Sequence, residues 1–416
     1  MMDKRLYWLA ATVFLATGVA MAGVSYIGSY GMTLLSEVTS DVDDNQKKII
    51  LEHDKAASNS DEVVIHGKDI EITAGGEFYI SGIGKEVSIQ VAEQVTDDVT
   101  LVLDGVDMAS ISMQSRGTNI VRLEKNSKNS LSNVETGITA TNVTITGEGS
   151  LTMTGISKYG VFATEDLVVE SGKLAIHSQG SGLATLHETD PEQANLTING
   201  GDITIESNTS QGNAGLVAGD QLIINQGTIS VKSSYEAYVG KHVTINGGSS
   251  NLVAADDGIV SKDPFYEEGA ASDVHVLVNG GEVMIVAGGD ALDSNGPLSI
   301  TGGRLLLETA SQTDGSLDVE GQSQLVAGTI WGLGSSAGAE AFNQANQAFL
   351  AGEFSCKKGE KLEISDSLGN KLGSQTSHVD TTYVLFSSAD LKIGDYYMVT
   401  TESGQSIQLL AMTQAY

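Results

Sequence analysis

Three acidic residues head successive copies of one short sequence unit. They are Glu236 in Glu-Ala-Tyr-Val-Gly, Asp257 in Asp-Gly-Ile-Val-Ser and Asp290 in Asp-Ala-Leu-Asp-Ser. Asp314-Gly315-Ser316-Leu317-Asp318 continues the series. If these copies stack as parallel strands, their carboxylates lie about 5 Å apart along one edge. Bare carboxylates at that spacing repel and raise one another's pKa. A divalent cation relieves the repulsion, and calcium takes about 6–8 oxygens from carboxylates, carbonyls and amides. Asp257, Asp290 and Asp293 are the leading candidate ligands, with Asp256, Asp263 and Asn295 as further ones. Softer metals are disfavoured at these copies, because no Cys or His clusters there. The competing reading is that these aspartates cap turns, which Asp commonly does.

The elements that would hold these residues are strands of a repeat. The unit reads apolar-x-apolar-x-Gly-Gly-x-apolar-x-apolar. Its clearest copies are Leu196-Thr-Ile198-Asn-Gly200-Gly201-Asp-Ile203-Thr-Ile205 and Leu298-Ser-Ile300-Thr-Gly302-Gly303-Arg-Leu305-Leu-Leu307. The second glycine or its equivalent falls at 149, 172, 201, 227, 248, 281 and 303, at intervals of 23, 29, 26, 21, 33 and 22 residues. A base period near 22 with insertions is one coil of a solenoid plus loops. Each half-unit alternates with period two, as a strand with one buried face does. The acidic units supply a third short strand. The fold class is therefore all-β, a right-handed parallel β-helix with three strands per coil. The glycines should then lie along one line of it. Irregular N-terminal coils and a small C-terminal β cap complete the expectation.

By region, residues 1–36 read as an export signal or membrane anchor, 37–61 as a linker, 62–335 as the β-helix, and 336–416 as a cap of one short helix near 339–350 plus antiparallel strands. The N-terminal reading rests on Lys4 and Arg5 before a run without charge to Ser36, densest in apolar residues over 6–23. Ala20-Met-Ala22 fits a cleavage site, while an uncleaved segment of this length can span a bilayer. Both readings place the rest of the chain outside the cytoplasm, at the surface of a bacterium or beyond it. A single cysteine, Cys356, excludes an internal disulfide. The formal charge of −31 argues against nucleic acid and anionic membrane surfaces as partners, since both need a basic face. The only membrane contact expected is through the N-terminal segment, if uncleaved.

The chain resembles the bacterial exported carbohydrate-binding domain-containing β-helix family. The resemblance spans about 62–402 and is carried by Ser234-Tyr235-Glu236-Ala237, Ala255-Asp256-Asp257-Gly258-Ile259, the run 289–296, Leu101-Val-Leu103-Asp104-Gly105-Val106-Asp107, Val384-Leu-Phe386-Ser-Ser388 and the segment 394–400. It implies binding of cellulose or acidic sugars, calcium in the helix, and likeness to pectate-lyase folds. Two positions depart from the family pattern. Val239 stands where an acidic residue is expected, and Val260 where a polar one is. Both weaken a metal site built from those coils.

Between the sugars implied, an acidic one is the better expectation. Neutral cellulose needs a flat aromatic stripe, and beyond Trp8 the only tryptophan is Trp331. A polyuronate would be repelled by the bare chain, but bound calcium inverts the local sign. Glu236, Tyr238, Phe265 and Tyr266 are the candidate sugar contacts, the last two on one insertion that an ordinary loop would explain equally well. Non-catalytic binding of an acidic polysaccharide with calcium is the leading expectation. One alternative is a calcium-dependent lyase with Lys262 as base, Lys241 and Arg304 being less favoured. The other is a structural surface protein or adhesin. The seven histidines show no catalytic spacing.

Overall fold

The computed structural model describes residues 46–187, 190–263 and 273–414. The expected export segment, and the linker as far as residue 45, lie outside them. Among the described residues no helix is long and apolar enough to cross a membrane.

The described residues are all β apart from one 3-10 turn at Pro191–Gln193, and they wind into a parallel β-solenoid of about 12 turns. From Asn119–Leu123 onward, strands pair in parallel with the third strand further along. Three faces result. The first holds strands such as Val143–Gly147, Leu196–Ile198 and Leu298–Ile300. The second holds Lys173–Ser178, Asp202–Ser207 and Arg304–Thr309. The third holds Tyr159–Ala163, Glu236–Gly240 and Leu292–Ser294. Alternation sends every second side chain inward, and identical positions stack. On the first face Val143, Leu167, Leu196, Leu222, Val243, Val276 and Leu298 form one ladder, none more than 1% exposed. Each such residue gains about 1.5–3 kcal/mol from full burial.

The register sets Gly149, Gly172, Gly201, Gly227, Gly248, Gly281 and Gly303 on one line, as the spacing predicts, and Gly328 extends it. At Gly227 φ is 105°, and a Cβ there would meet Gly200 C and Gly201 O of the preceding coil at 3.0 Å. Only glycine suits both the backbone and the space. Gly149 differs: the positive φ of its coil, 113°, falls two residues earlier at Gly147.

Beside this line runs a ladder of side-chain amides. Asn225 Nδ2 donates to Asn199 Oδ1 (2.8 Å), Asn246 Nδ2 to Asn225 Oδ1 (2.7 Å), and Asn279 Nδ2 to Asn246 Oδ1 (2.8 Å). Glu170 Oε1 closes the bottom, accepting from Asn199, and Thr301 Oγ1 closes the top, donating to Asn279. Identical amides stacked at strand spacing satisfy one another, as in cross-β structures.

The ends depart from expectation in two places. Residues 46–61 are a hairpin and not a linker: Lys47–Glu52 pairs antiparallel with Lys55–Ser58 and parallel with Gly76–Val91. Ile49 and Leu51 close the bottom of the core, and Lys47, on the same side of the strand, lays its ammonium 4.9 Å from the Phe78 ring centroid. Nor is there a helix near 339–350. Gln344–Ala345 pairs with Ser323–Leu325, Phe342 is buried, and Phe349–Cys356 begins the next strand. The open edge of the last coils offers backbone partners that outweigh an alanine-rich local preference. Thr381–Ser387 then runs antiparallel to Thr329–Gly334 and Phe349–Cys356. Four further antiparallel strands, Lys361–Ser365, Lys371–Thr376, Tyr396–Thr401 and Ser406–Leu410, complete the cap. Trp331 is buried against Phe386 under this cap, not on a sugar-facing surface.

Gly227→Ala should lower stability by about 1–3 kcal/mol through its backbone conformation alone. Asn225→Ala should cost about 1–2 kcal/mol by breaking two amide bonds of the ladder. Both are read as shifts of the denaturant midpoint.

Candidate functional site

The third face gathers the acidic units, and its register decides which residues meet. Tyr238 pairs with Ile259 and Ile259 with Leu292, so Glu236, Asp257 and Asp290 do stand in one line. Asp293 pairs with Asp318, which puts Gly315, not Asp314, above Asp290. The fourth copy therefore does not continue the line of Glu236, Asp257 and Asp290: Asp314 is displaced from it by one residue, and Asp318 instead stands above Asp293.

Each carboxylate of the line has one oxygen committed to the next coil. Asp257 Oδ1 accepts from Asp290 N at 2.7 Å, and Asp290 Oδ1 accepts from Gly315 N at 2.7 Å. To that extent the turn-capping reading is correct. Asp293 differs: it is half-buried and makes no hydrogen bond among the described residues. Burial first, then the charges of Asp257, Asp318 and Asp290, push its carboxyl up to about 7. Burial likewise pushes Asp290 up to about 7 and Asp257 to about 6, with neighbouring carboxylates adding to both. Three half-buried carboxyl groups in one corner thus either hold protons near neutrality or need a cation.

The line below is partly neutralised. Glu236 is buried and holds the ammonium of Lys262. Glu236, Asp256 and Asp257 offer oxygens within 4.8 Å of one another, and Tyr235 donates toward Asp256, which pushes its phenol up to about 12. Asp256 therefore belongs to the cluster. Asp263 and Asn295 lie past the far ends of Ile259–Ser261 and Leu292–Ser294, away from the line of Asp257 and Asp290. Lys262 directs its ammonium to Glu236 while its side chain stays 40% exposed. Arg304 lies on the second face beside Glu282, and Lys241 at the turn into the first face.

Two sugar-contact expectations change. Tyr238 is fully buried, its hydroxyl 2.9 Å from Ser250 Oγ, because it takes an inward position of the strand. It cannot stack on a sugar. Phe265 and Tyr266 lie outside the described residues.

The aromatic surface lies elsewhere on the same face. Tyr159 and Phe162 stack at 4.9 Å between centroids, 22° apart, and the Lys158 ammonium sits 5.4 Å from the Tyr159 ring. They line an open cleft of about 880 Å³ with Glu135, Thr136, Thr139 and His187. The outward column that begins there is continuous with the acidic corner: Thr139, Phe162, Ala184, Val217, Val239, Val260, Asp293 and Asp318. Val239 and Val260 are buried against Ala214 in a small apolar cluster. They bound the acidic corner on one side and dehydrate Asp293. The signal was present in the sequence: among the third-strand units, Tyr159-Gly-Val-Phe162 alone carries two rings at non-core places.

Fold and face together define a β-solenoid in which one column of register partners runs from the Tyr159–Phe162 cleft to the acidic corner. The chain belongs to the carbohydrate-binding domain-containing protein family, whose profile matches residues 66–315. A solved structure, described as that of the polysaccharide lyase-like protein from C. thermocellum in a gadolinium derivative, is similar at 20% identity. The match covers 68% of this chain and 96% of that one, with a TM-score of 0.33. No curated protein matches.

The acidic corner has a pH signature with a definite sign. Folded Asp257, Asp290 and Asp293 hold protons that the unfolded chain releases above its usual carboxyl range near 4. In chelator, stability should therefore fall as pH rises from about 4 to about 7, through the window between unfolded and folded pKa values. The variant Asp290→Asn with Asp293→Asn should flatten that slope in melting curves taken across the range.

Proposed function

We propose that this chain binds an acidic polysaccharide without turning it over, along the third face, with calcium held at the acidic corner. Polysaccharide as the class of partner follows from the family. The observation that favours calcium is Asp293, a half-buried carboxylate with no hydrogen bond among the described residues, beside Asp257 and Asp290. Hard oxygen donors of this kind suit calcium. Asp257, Asp290 and Asp293 would hold it, with Asp256 adjoining. Bound there, it supplies a positive centre on a chain of charge −31, and so a bridge to a uronate carboxylate. Tyr159 and Phe162 offer a stacking surface for a sugar ring four coils from Asp257 and five from Asp290 and Asp293, roughly 19–24 Å along the same column. The basic reach of Lys158 at that end suits an anionic polymer. Binding without turnover is favoured because Lys262, the base a lyase would use, is engaged by Glu236. Export, read from the N-terminal sequence, places this outside the cell, where calcium is abundant.

The test is retention on insoluble polygalacturonate with calcium and with chelator at matched ionic strength. Calcium-dependent retention without unsaturated uronate in the supernatant is expected. Ultraviolet-absorbing product would make the chain a lyase. Equal retention in both buffers would remove the calcium bridge, and no retention on any glycan would favour a protein partner.

Replacing both Tyr159 and Phe162 by Ala should weaken binding about fivefold to tenfold, since a stacked ring is worth about 1 kcal/mol. Calcium-dependent melting should be unchanged in that variant.

A further inference from the structure

A second cluster lies at a different corner of the coil, where the third face turns into the first. His242 and His275 are register partners on adjacent strands, His242–Ile245 and His275–Val278. Their rings stand 4.6 Å apart at 34°. Asp220, one coil below and only 4% exposed, faces His242 Nδ1 through Oδ1 at 2.7 Å. In a neutral ring, a proton on Nδ1 directed at that carboxylate would leave the lone pair on Nε2. That Nε2 faces outward to Asp273, whose Oδ1 is 4.0 Å away. The donor atoms of His242, His275 and Asp273 all lie within 4.8 Å of one another.

We propose that His242, His275 and Asp273 form a site for a borderline divalent cation of the zinc class, with Asp220 orienting His242. Zinc takes imidazole nitrogens and carboxylate oxygens at about 2.0–2.2 Å. The Asp273 side chain is 92% exposed, so it is free to close that gap by rotation. Two imidazoles distinguish the cluster from the all-oxygen acidic corner and favour zinc over calcium. The buried carboxylate behind His242 is the outer partner that metal-bound histidines use to fix their tautomer. Three protein ligands leave a fourth position for water or a ligand group.

The position gives the site a structural task. The interval between Gly248 and Gly281 is the longest of the repeat, 33 residues, and Asp273 and His275 stand at its return. A cation on all three ligands would pin that return to the coil below. None of these residues takes part in the polysaccharide reading, so the two can fail separately.

The test uses the full chain stripped with chelator and titrated with zinc chloride by calorimetry, with calcium chloride alongside. A single saturable zinc equivalent is expected, and cobalt(II) in its place should give the intense visible bands of a tetrahedral centre. The double variant His242→Ala with His275→Ala should lose zinc binding. Asp273→Ala, at an exposed position that leaves folding intact by circular dichroism, should weaken it about tenfold or more, and Asp220→Asn about tenfold. Asp290→Asn with Asp293→Asn should leave zinc affinity unchanged. Absence of saturable zinc binding in the wild type, or unchanged affinity in Asp273→Ala, would overturn the site. The second result decides the matter even if the double histidine variant fails to fold.

Discussion

Coil-on-coil backbone pairing in fixed parallel register is the interaction on which everything else in this molecule depends. It repeats at the strand spacing of about 4.8 Å, so any residue type recurring at one place in the unit becomes a line on the surface or in the core. Leucine, isoleucine and valine become inward ladders, glycine a corner line, and asparagine a column of amides. Carboxylates repeated at one place become a column of like charge. The same rule that stabilises the core thus assembles a set of groups that oppose one another.

That opposition is handled differently coil by coil. Glu236 is matched by Lys262 within hydrogen-bond reach. Asp257 and Asp290 each lean one oxygen on a backbone amide of the coil above. Asp293 has neither solution, and Val260 beneath it removes water from one side. The dehydrated group in a strongly anionic chain is the place where a cation does most for the molecule.

Periodicity made the fold legible. Glycine corners recurring on a base period near 22 with insertions, and period-two alternation, identify stacked strands without reference to any contact, and the alignment of Glu236, Asp257 and Asp290 follows from the same units. Features that depend on which way one residue faces were not legible in that way. Tyr238 lies inward while Phe162 lies outward, although both are rings in the same kind of strand. The pairing of His242 with His275 needs the full register across an insertion, since the two are far apart in sequence. Charge misled at residues 46–61, where a hairpin turns Ile49 and Leu51 into the core among its charged residues. At 339–350 local composition misled, because the stacking edge of the solenoid supplies a strand partner that no local preference encodes.

Each coil touches only its neighbours, so a disturbance in one is felt in the next and little beyond. The stacked rings of Tyr159 and Phe162 and the carboxyl groups of Asp257, Asp290 and Asp293 are separated by intervening coils built on Ser181–Thr185, Ala214–Ala218 and Glu236–Gly240. Such an arrangement is modular in the evolutionary sense. The ring pair can drift in sequence while the carboxyl corner stays as it is, and coils inserted between them would lengthen the surface without redesigning either end.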